Sequence, residues 1–193
     1  MERKLSTVFA LDIVGFSRLM AENEARTLNN LKERRDFIDS TIEEYNGRIF
    51  NTAGDSVLAE FPSPVKAVEC SVQIQNKSLA INNTSKDADR MQFRIGINIG
   101  DVMVSQDNLF GDAVNIAARL EAKAPTNGIC ISQSTFDMVN LKVKVSYEDA
   151  GELDLKNIGR PIRAYNVVKC KGATRKVSNA LDIPTTIVDK IKP

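Results

Sequence analysis

The rest of this chain is organised around one segment near its N-terminus, Phe9-Ala10-Leu11-Asp12-Ile13-Val14-Gly15-Phe16-Ser17. The apolar residues from Val8 to Val14 predict a strand that is covered on both faces of a sheet, and Asp12 is the only charge within it. A buried carboxylate without a partner is costly, so the sequence predicts a group that compensates Asp12. The strand breaks at Gly15, and Ser17 is expected to cap the helix that follows.

The backbone amides of Val14, Gly15, Phe16 and Ser17 lie at the expected start of this helix. Such amides form a cradle that suits an anion. A carboxylate beside an anion cradle indicates a metal ion together with a phosphate. The alternative is that Asp12 is a buried residue that caps its own turn, and this segment alone leaves both interpretations open.

The composition indicates an ordinary soluble domain. The chain has 193 residues, of which 42% are hydrophobic, and 26 Lys and Arg balance 25 Asp and Glu. The net charge of +1 gives no large positive field, so no nucleic-acid partner is predicted. No apolar run approaches the roughly 20 residues that span a bilayer. The N-terminus leads into a strand rather than a secretory signal. We therefore expect a cytoplasmic protein without membrane insertion.

The side chains available for chemistry are limited by the absence of histidine. Ser-His-Asp and Cys-His catalysis are excluded, and so are His-ligated zinc sites. Three widely spaced cysteines, without a CxxC pair, predict buried reduced thiols; they are Cys70, Cys130 and Cys170. Carboxylates, amides and basic groups remain, and this set suits Mg²⁺ or Mn²⁺ and phosphates.

The hydrophobic pattern predicts an α+β sheet that contains a ferredoxin-like βαββαβ core, with its helices on one face. A long helix from Ser17 to Tyr45 is expected to break near residues 21–25. The turn Gly100-Asp101 is expected to separate two strands, and another strand is expected over 142–147. These elements form one domain over residues 1–170. Residues 171–193 lose periodicity and are expected to be a tail or docking arm.

Two acids and one helix supply the candidate chemistry. Asp55 lies in the tight turn Ala53-Gly54-Asp55, and if the first three strands are adjacent it projects from the same end of the sheet as Asp12. Two carboxylates without histidine are typical of a two-metal phosphoryl-transfer site. On a later helix, Asn115 and Arg119 are one turn apart and share a face, so both can reach one substrate. The alternative is that Arg119 pairs with an acid and Asn115 faces solvent.

Four ordered segments now resemble the catalytic domain of class III nucleotide cyclases, and the resemblance covers roughly residues 5–169. The segments are Ala10–Ser17, Gly54–Phe61, Arg94–Ile97 and Phe110–Ala122. The resemblance implies a class III cyclase fold that extends the ferredoxin-like core. It also implies that Asp12 and Asp55 bind two divalent cations, Mg²⁺ or Mn²⁺, with the carbonyl of Ile13 as an additional ligand.

The same resemblance assigns roles to the remaining candidates. The loop from Val14 to Ser17 would hold the β- and γ-phosphates, Asn115 would orient the ribose, and Arg119 would stabilise the transition state. Lys156 resembles the lysine of the family that binds the triphosphate; the alternative is a surface charge near a glycine turn. Because the metal site and the Asn/Arg helix of this family meet across a head-to-tail dimer, the resemblance implies a homodimer with two shared sites.

The chain departs from the family pattern where the base is read. Adenylate cyclases of this class carry a lysine four residues before the second metal aspartate and an aspartate seven before the catalytic asparagine. Here those positions hold Asn51 and Asn108, and guanylate cyclases use neither amide. Two amides can each donate and accept, so lower purine selectivity is expected.

With its compact layout, the chain resembles the stand-alone pyrimidine cyclases of bacterial antiphage (Pycsar-type) systems. That resemblance implies conversion of UTP to cyclic UMP, or of CTP to cyclic CMP, for a separate cyclic-nucleotide-responsive effector protein. Two alternatives stay open. One is an adenylate cyclase with altered base-reading residues, and the other is a catalytically silent cyclase-like dimer that senses nucleotide.

Overall fold

A computed structural model describes residues 2–168, which form the predicted α+β domain. It has an eight-stranded sheet and five α-helices. The strands are β1 (Glu2–Ile13), β2 (Arg48–Ala53), β3 (Ser56–Phe61), β4 (Phe93–Ser105), β5 (Asn108–Phe110), β6 (Ile129–Ser132), β7 (Ser146–Leu153) and β8 (Ile162–Val168). The helices are α1 (Phe16–Glu22), α2 (Glu24–Glu44), α3 (Pro64–Thr84), α4 (Asp112–Lys123) and α5 (Gln133–Val139), and a 3₁₀ turn spans Asp87–Asp89. The predicted tail, 171–193, lies outside the described residues.

Strand β1 lies inside the sheet, whose order is β2-β3-β1-β4-β6-β8-β7, with β5 paired to β4. The first four strands of this order pair with one another in antiparallel fashion, α1 and α2 connect β1 to β2, and α3 connects β3 to β4. This arrangement confirms the ferredoxin-like core. It also confirms that the first three strands are adjacent.

Helices cover both faces of the sheet, which corrects the prediction of one covered face. The odd-numbered residues Phe9, Leu11 and Ile13 pack in a core with residues of α2 and α3, including Ile38, Ile42, Val68 and Ile74. The even-numbered residues Val8 and Ala10 pack instead against Ala113 and Ala117 of α4. Because successive side chains of a strand point to opposite faces, one apolar run serves both cores.

Two element boundaries differ from prediction. The first is in β4, which runs through Gly100-Asp101 without a turn because β1 pairs with it from Glu2 opposite Val104 to Ile13 opposite Phe93. The second is in residues 142–145, which were predicted as the start of a strand but close the end of α5, with the amides of Lys142 and Val143 donating to the carbonyl of Val139. The predicted break in the first long helix is confirmed at Asn23, whose side chain accepts from the amide of Arg26.

The thiols of Cys70 and Cys130 are free and buried, as predicted, and burial raises the pKa of each to about 12. Cys170 lies outside the described residues. Within residues 2–168, no helix is long and apolar enough to cross a lipid bilayer.

Candidate active site

The two predicted acids lie side by side at one end of the sheet. Asp12 is the second-last residue of β1, and the hairpin between β2 and β3 brings Asp55 next to it. Ser56 Oγ donates to Asp12 Oδ1 over 2.8 Å, and the backbone amide of Ile13 donates to Asp55 Oδ2 over 3.3 Å. Neighbouring backbone and hydroxyl groups therefore fix the position of both carboxylates.

The position of these carboxylates is electrostatically unfavourable in the absence of a cation. Burial, and then repulsion from Asp12, raise the pKa of Asp55 to about 6. Within residues 2–168, no cluster of three or more acids and cysteines is arranged to hold a metal, so the protein offers a pair of carboxylates. Mg²⁺ is commonly held by one or two carboxylates, with substrate phosphates and water completing its shell. Asp12 and Asp55 therefore fit a divalent cation that is bound together with a phosphate.

Two further charges, Arg94 and Glu121, lie beside the acids, and neither was singled out from the sequence. Arg94 faces Asp12 across the β1–β4 ladder, with Nη2 3.8 Å from Asp12 Oδ2, and its Nε is 3.0 Å from Glu121 Oε1. Burial, and then the charge of Asp12, raise the pKa of Glu121 to about 7. The site thus contains three acids and one guanidinium at one sheet end. Arg94 begins a motif quoted for the resemblance, but only the strand register places it opposite Asp12.

The predicted anion cradle is smaller than expected. The amide of Val14 donates to the carbonyl of Gln92 over 2.8 Å, so it is not available to a ligand. Gly15 has φ 70° and is the N-cap of α1, so Ser17 lies inside the helix and does not cap it as predicted. The amides of Gly15, Phe16 and Ser17 remain at the helix start, where first-turn amides lack partners within the helix. Glycine is suited to the positive φ that turns the chain here.

Helix α4 presents Asn115 and Arg119 on the side that faces away from the sheet. Both residues are exposed, and within residues 2–168 neither side chain makes a hydrogen bond or an ion pair. The inner side of α4 packs closely on β4, because a Cβ added at Gly96 would lie 2.2 Å from the carbonyl oxygen of Ala117. This tight packing fixes the rotation of α4 about its axis, so Asn115 and Arg119 face away from the sheet. Among the described residues, nothing ties this pair to Asp12 or Asp55, so the structure does not join the two predicted groups within one chain.

The predicted base-reading residues lie on two strands, β2 and β5, that do not pair with each other. Asn51 is exposed on the edge strand β2, and Asn108 is partly buried at the start of β5. Arg48 of β2 donates to the carbonyl of Asp107 over 2.8 Å, which links β2 to the turn that precedes β5. Lys156 is exposed in the loop after β7, next to Leu155, which packs in a cluster with Leu120 of α4. Asn108 and Lys156 therefore lie near α4, whereas Asn51 is on the same β2–β3 hairpin as Asp55.

Comparison with known proteins shows the relationship directly. Residues 2–169 match the family described as the adenylate and guanylate cyclase catalytic domain. The chain is 38% identical over 164 residues to a putative adenylate cyclase 3 of Rhizobium meliloti, an alignment that covers 84% of this chain and 28% of that protein. The chain thus spans about a quarter of the length of this curated relative.

Solved structures agree with this match. A crystal structure of an adenylate/guanylate cyclase/hydrolase from Silicibacter pomeroyi is 39% identical, has a TM-score of 0.82, and aligns over 88% of this chain and 99% of that one. The adenylyl cyclase CyaB from P. aeruginosa is 25% identical with a TM-score of 0.76, over 89% of this chain and 98% of that one. The predicted class III fold is confirmed.

Proposed function

This chain belongs to the family of adenylate and guanylate cyclase catalytic domains, and on that premise we propose that it converts a nucleoside triphosphate into a 3′,5′-cyclic nucleotide and pyrophosphate. The observation that carries the proposal is the pair of half-buried carboxylates, Asp12 and Asp55, held beside the amides of Gly15 to Ser17. This combination suits a metal-bound triphosphate.

In the proposed reaction the ribose 3′-oxygen attacks the α-phosphorus, and the bond to the pyrophosphate leaving group breaks. Asp12 and Asp55 would hold two divalent cations, with the carbonyl of Ile13 as a further ligand. Bound there, these cations would lower the pKa of the 3′-hydroxyl and offset charge on the phosphates, so that a histidine base is not required. The amides of Gly15, Phe16 and Ser17 would hold the β- and γ-phosphates. The guanidinium of Arg94, 3.8 Å from Asp12, would place a positive charge near these phosphates.

The second half of the site would be supplied by α4 and its neighbours. Asn115 would orient the ribose, and Arg119 would neutralise the charge that develops at the α-phosphate. Lys156, in the loop that packs on α4, would contact the triphosphate. Because Asn115 and Arg119 are exposed and without polar partners among residues 2–168, we propose that they complete the site of a second copy in a head-to-tail homodimer. A monomer would then be inactive.

The base is proposed to be a pyrimidine, with UTP favoured over CTP. The support is chemical, because Asn51 and Asn108 replace the two charged groups with which adenylate cyclases read adenine, and a site built for specific hydrogen bonds discriminates mainly through them. The supply of cyclic UMP to a separate antiphage effector is an extension of this proposal. The second candidate is an adenylate cyclase with altered base-reading residues. Its support is the 38% identity to a putative adenylate cyclase.

One experiment separates these proposals. Purified protein is incubated with each nucleoside triphosphate and Mn²⁺, and the products are resolved by mass spectrometry. We expect cyclic UMP as the main product, with less cyclic CMP. Cyclic AMP alone would reject the pyrimidine assignment and leave the cyclase assignment intact. No cyclic product from any triphosphate, in protein shown to be folded and dimeric, would favour the silent nucleotide-sensing dimer.

A further inference from the structure

Helix α3 carries a row of buried polar side chains that do not serve its own helix. Gln75, Ser78 and Asn82 are spaced along one face, and their exposed fractions are only 2%, 1% and 7%. Gln75 Nε2 donates to the carbonyls of Phe93 and Gly128 over 3.1 and 3.0 Å, and Ser78 Oγ donates to the carbonyl of Met91 over 3.4 Å. The row therefore binds the segment that leads into β4.

Asn82 makes the most complete of these contacts. Its Nδ2 donates to the carbonyl of Met91 over 2.6 Å, and its Oδ1 accepts from the amide of Met91 over 3.2 Å. The side chain thus pairs with both backbone groups of one residue, as a neighbouring strand would. Arg34 of α2, itself only 4% exposed, donates from Nη2 to the same Oδ1 over 3.1 Å and so fixes the orientation of the amide.

The residues that follow Met91 are in contact with the candidate site. The carbonyl of Gln92 accepts from the amide of Val14, and this is the bond that holds the start of the phosphate-binding loop. Phe93 pairs with Ile13, and Arg94 pairs with Asp12. The row on α3 and the loop after β1 are therefore fixed to the same short segment, residues 91–94.

We propose that Asn82 is a positioning residue for the phosphate-binding loop. It holds Met91, and through the carbonyl of Gln92 it sets the place of Val14 and hence of the amides of Gly15 to Ser17. This inference rests on the proposed function, since it assigns the loop to the triphosphate. Groups that hold a reacting phosphate must be placed to well under an ångström, so a support of this kind acts on catalysis without touching substrate.

The first test compares Asn82→Ala with Asn83→Ala, a matched control because Asn83 is the exposed next residue on the same helix. In the full chain with Mn²⁺ and the preferred triphosphate, Asn82→Ala is expected to lower kcat/KM by about 10- to 100-fold, the usual effect of losing a supporting group. KM is expected to rise, and inhibition by pyrophosphate to weaken by a similar factor. The control is expected to match wild type. A lower melting temperature with unchanged KM and unchanged pyrophosphate inhibition would overturn the proposal.

The second test locates the effect in the dimer. An Asp55→Ala chain and an Arg119→Ala chain are mixed, so that the only intact site takes its acids from the Arg119→Ala chain. Asn82→Ala is expected to depress this activity when it is placed in the Arg119→Ala chain, and to leave it unchanged in the Asp55→Ala chain. An equal loss from either chain would indicate general destabilisation and overturn the proposal.

Failure of the proposed function can be distinguished from failure of this inference. If the wild-type protein yields no cyclic product, binding of Mn²⁺ with the triphosphate is measured by calorimetry in wild type, Asn82→Ala and Asn83→Ala. Binding that is weakened about 10-fold or more in Asn82→Ala alone would uphold the positioning role in a non-catalytic protein. Equal binding by all three, or no binding by wild type, would reject it.

Discussion

The Asp12 end of β1 and the outer side of α4 differ in how completely one chain builds them. At the Asp12 end, a hydroxyl, a backbone amide and the Arg94 guanidinium contact the carboxylates. On the outer side of α4, Asn115 and Arg119 are exposed and, within residues 2–168, their side chains make no hydrogen bond or ion pair. Contacts within one chain hold the carboxylates in place, whereas no such contact among the described residues holds the side chains of Asn115 and Arg119. The proposed head-to-tail dimer would account for this difference.

The largest expected effect is the loss of cyclase activity when either region is altered, and its recovery in mixed dimers. Asp55→Ala and Arg119→Ala are each expected to lower cyclase activity by about a thousand-fold or more, since a transition-state arginine alone is worth that much in phosphoryl transfer. An equal mixture is expected to recover about a quarter of wild-type activity, because half of randomly formed dimers are mixed and each has one intact site of two. Activity is measured by product formation, with dimer content checked by sedimentation.

The control for this mixture is a pair of chains altered in the same region. Asp12→Ala mixed with Asp55→Ala is expected to recover nothing, because both acids must come from one chain. If no mixture of acid and arginine variants regains activity although mixed dimers form, the division between the two regions is wrong.

Divalent metal tests whether the Asp12 end is complete without α4. At a metal concentration about 100 times Kd, binding stabilises the folded state by about 2.7 kcal/mol, which raises the melting temperature by about 5–10 °C for a domain of this size. We expect this shift with Mn²⁺ in wild type and in Arg119→Ala, and its loss in Asp55→Ala. Loss of the shift in Arg119→Ala would show that α4 takes part in metal binding, contrary to the comparison.

The sequence predicted the acid end better than its surroundings, for a physical reason. Asp12 stands out because it interrupts an apolar run, and Asp55 because it lies in a tight hairpin, and both features are local. Arg94 and Glu121 join them only through the pairing of β1 with β4 and the packing of α4 at Gly96, which involve residues distant in the chain. No local pattern encodes such contacts.

The same distinction explains the errors in the fold. The strand through Gly100-Asp101 was predicted to turn because Gly-Asp favours turns, but pairing along the whole of β1 keeps it extended. The placement of helices on both faces follows from β1 being buried on both sides. The apolar run of β1 indicated burial on both sides but could not assign particular helices to either face. Asn82 was missed because an asparagine near the end of a helix resembles a surface residue until its partners are known.

Base choice tests Asn51 on β2 and Asn108 on β5, and substitutions there are expected to have a smaller effect. The double substitution of Asn51→Lys with Asn108→Asp restores the two charges that adenylate cyclases carry, so we expect the ratio of kcat/KM for ATP to that for UTP to rise about 10-fold or more. The matched control replaces both residues by alanine, and it is expected to lower discrimination without turning it toward ATP. The Mn²⁺-induced shift in melting temperature is expected to stay as in wild type, because the acid end is unchanged. An unaltered ratio would show that other residues read the base.

The smallest expected effect is the pH dependence of stability in the metal-free protein. The pKa of Asp55 is raised to about 6 and that of Glu121 to about 7, both above their ordinary values, so the folded state binds more protons than the unfolded state between about pH 4 and 7. The free energy of unfolding therefore falls as pH rises through that window, and this stabilisation is fully present only at its acidic end. Urea unfolding in a chelator measures the slope.

The two regions predict different changes in this slope. Glu121→Gln removes one of the two titrating carboxyls, and so it is expected to flatten the dependence between pH 6 and pH 7, where the folded-state pKa of Glu121 lies. Arg119→Ala is expected to leave the slope unchanged, because Arg119 has no ion pair among the described residues. Saturating Mn²⁺ is expected to oppose the fall in stability near pH 7, since a cation binds the ionised carboxylates. A slope that Arg119→Ala altered as much as Glu121→Gln would mean that Arg119 lies close to the acids in the metal-free protein, either in its own chain or across the dimer.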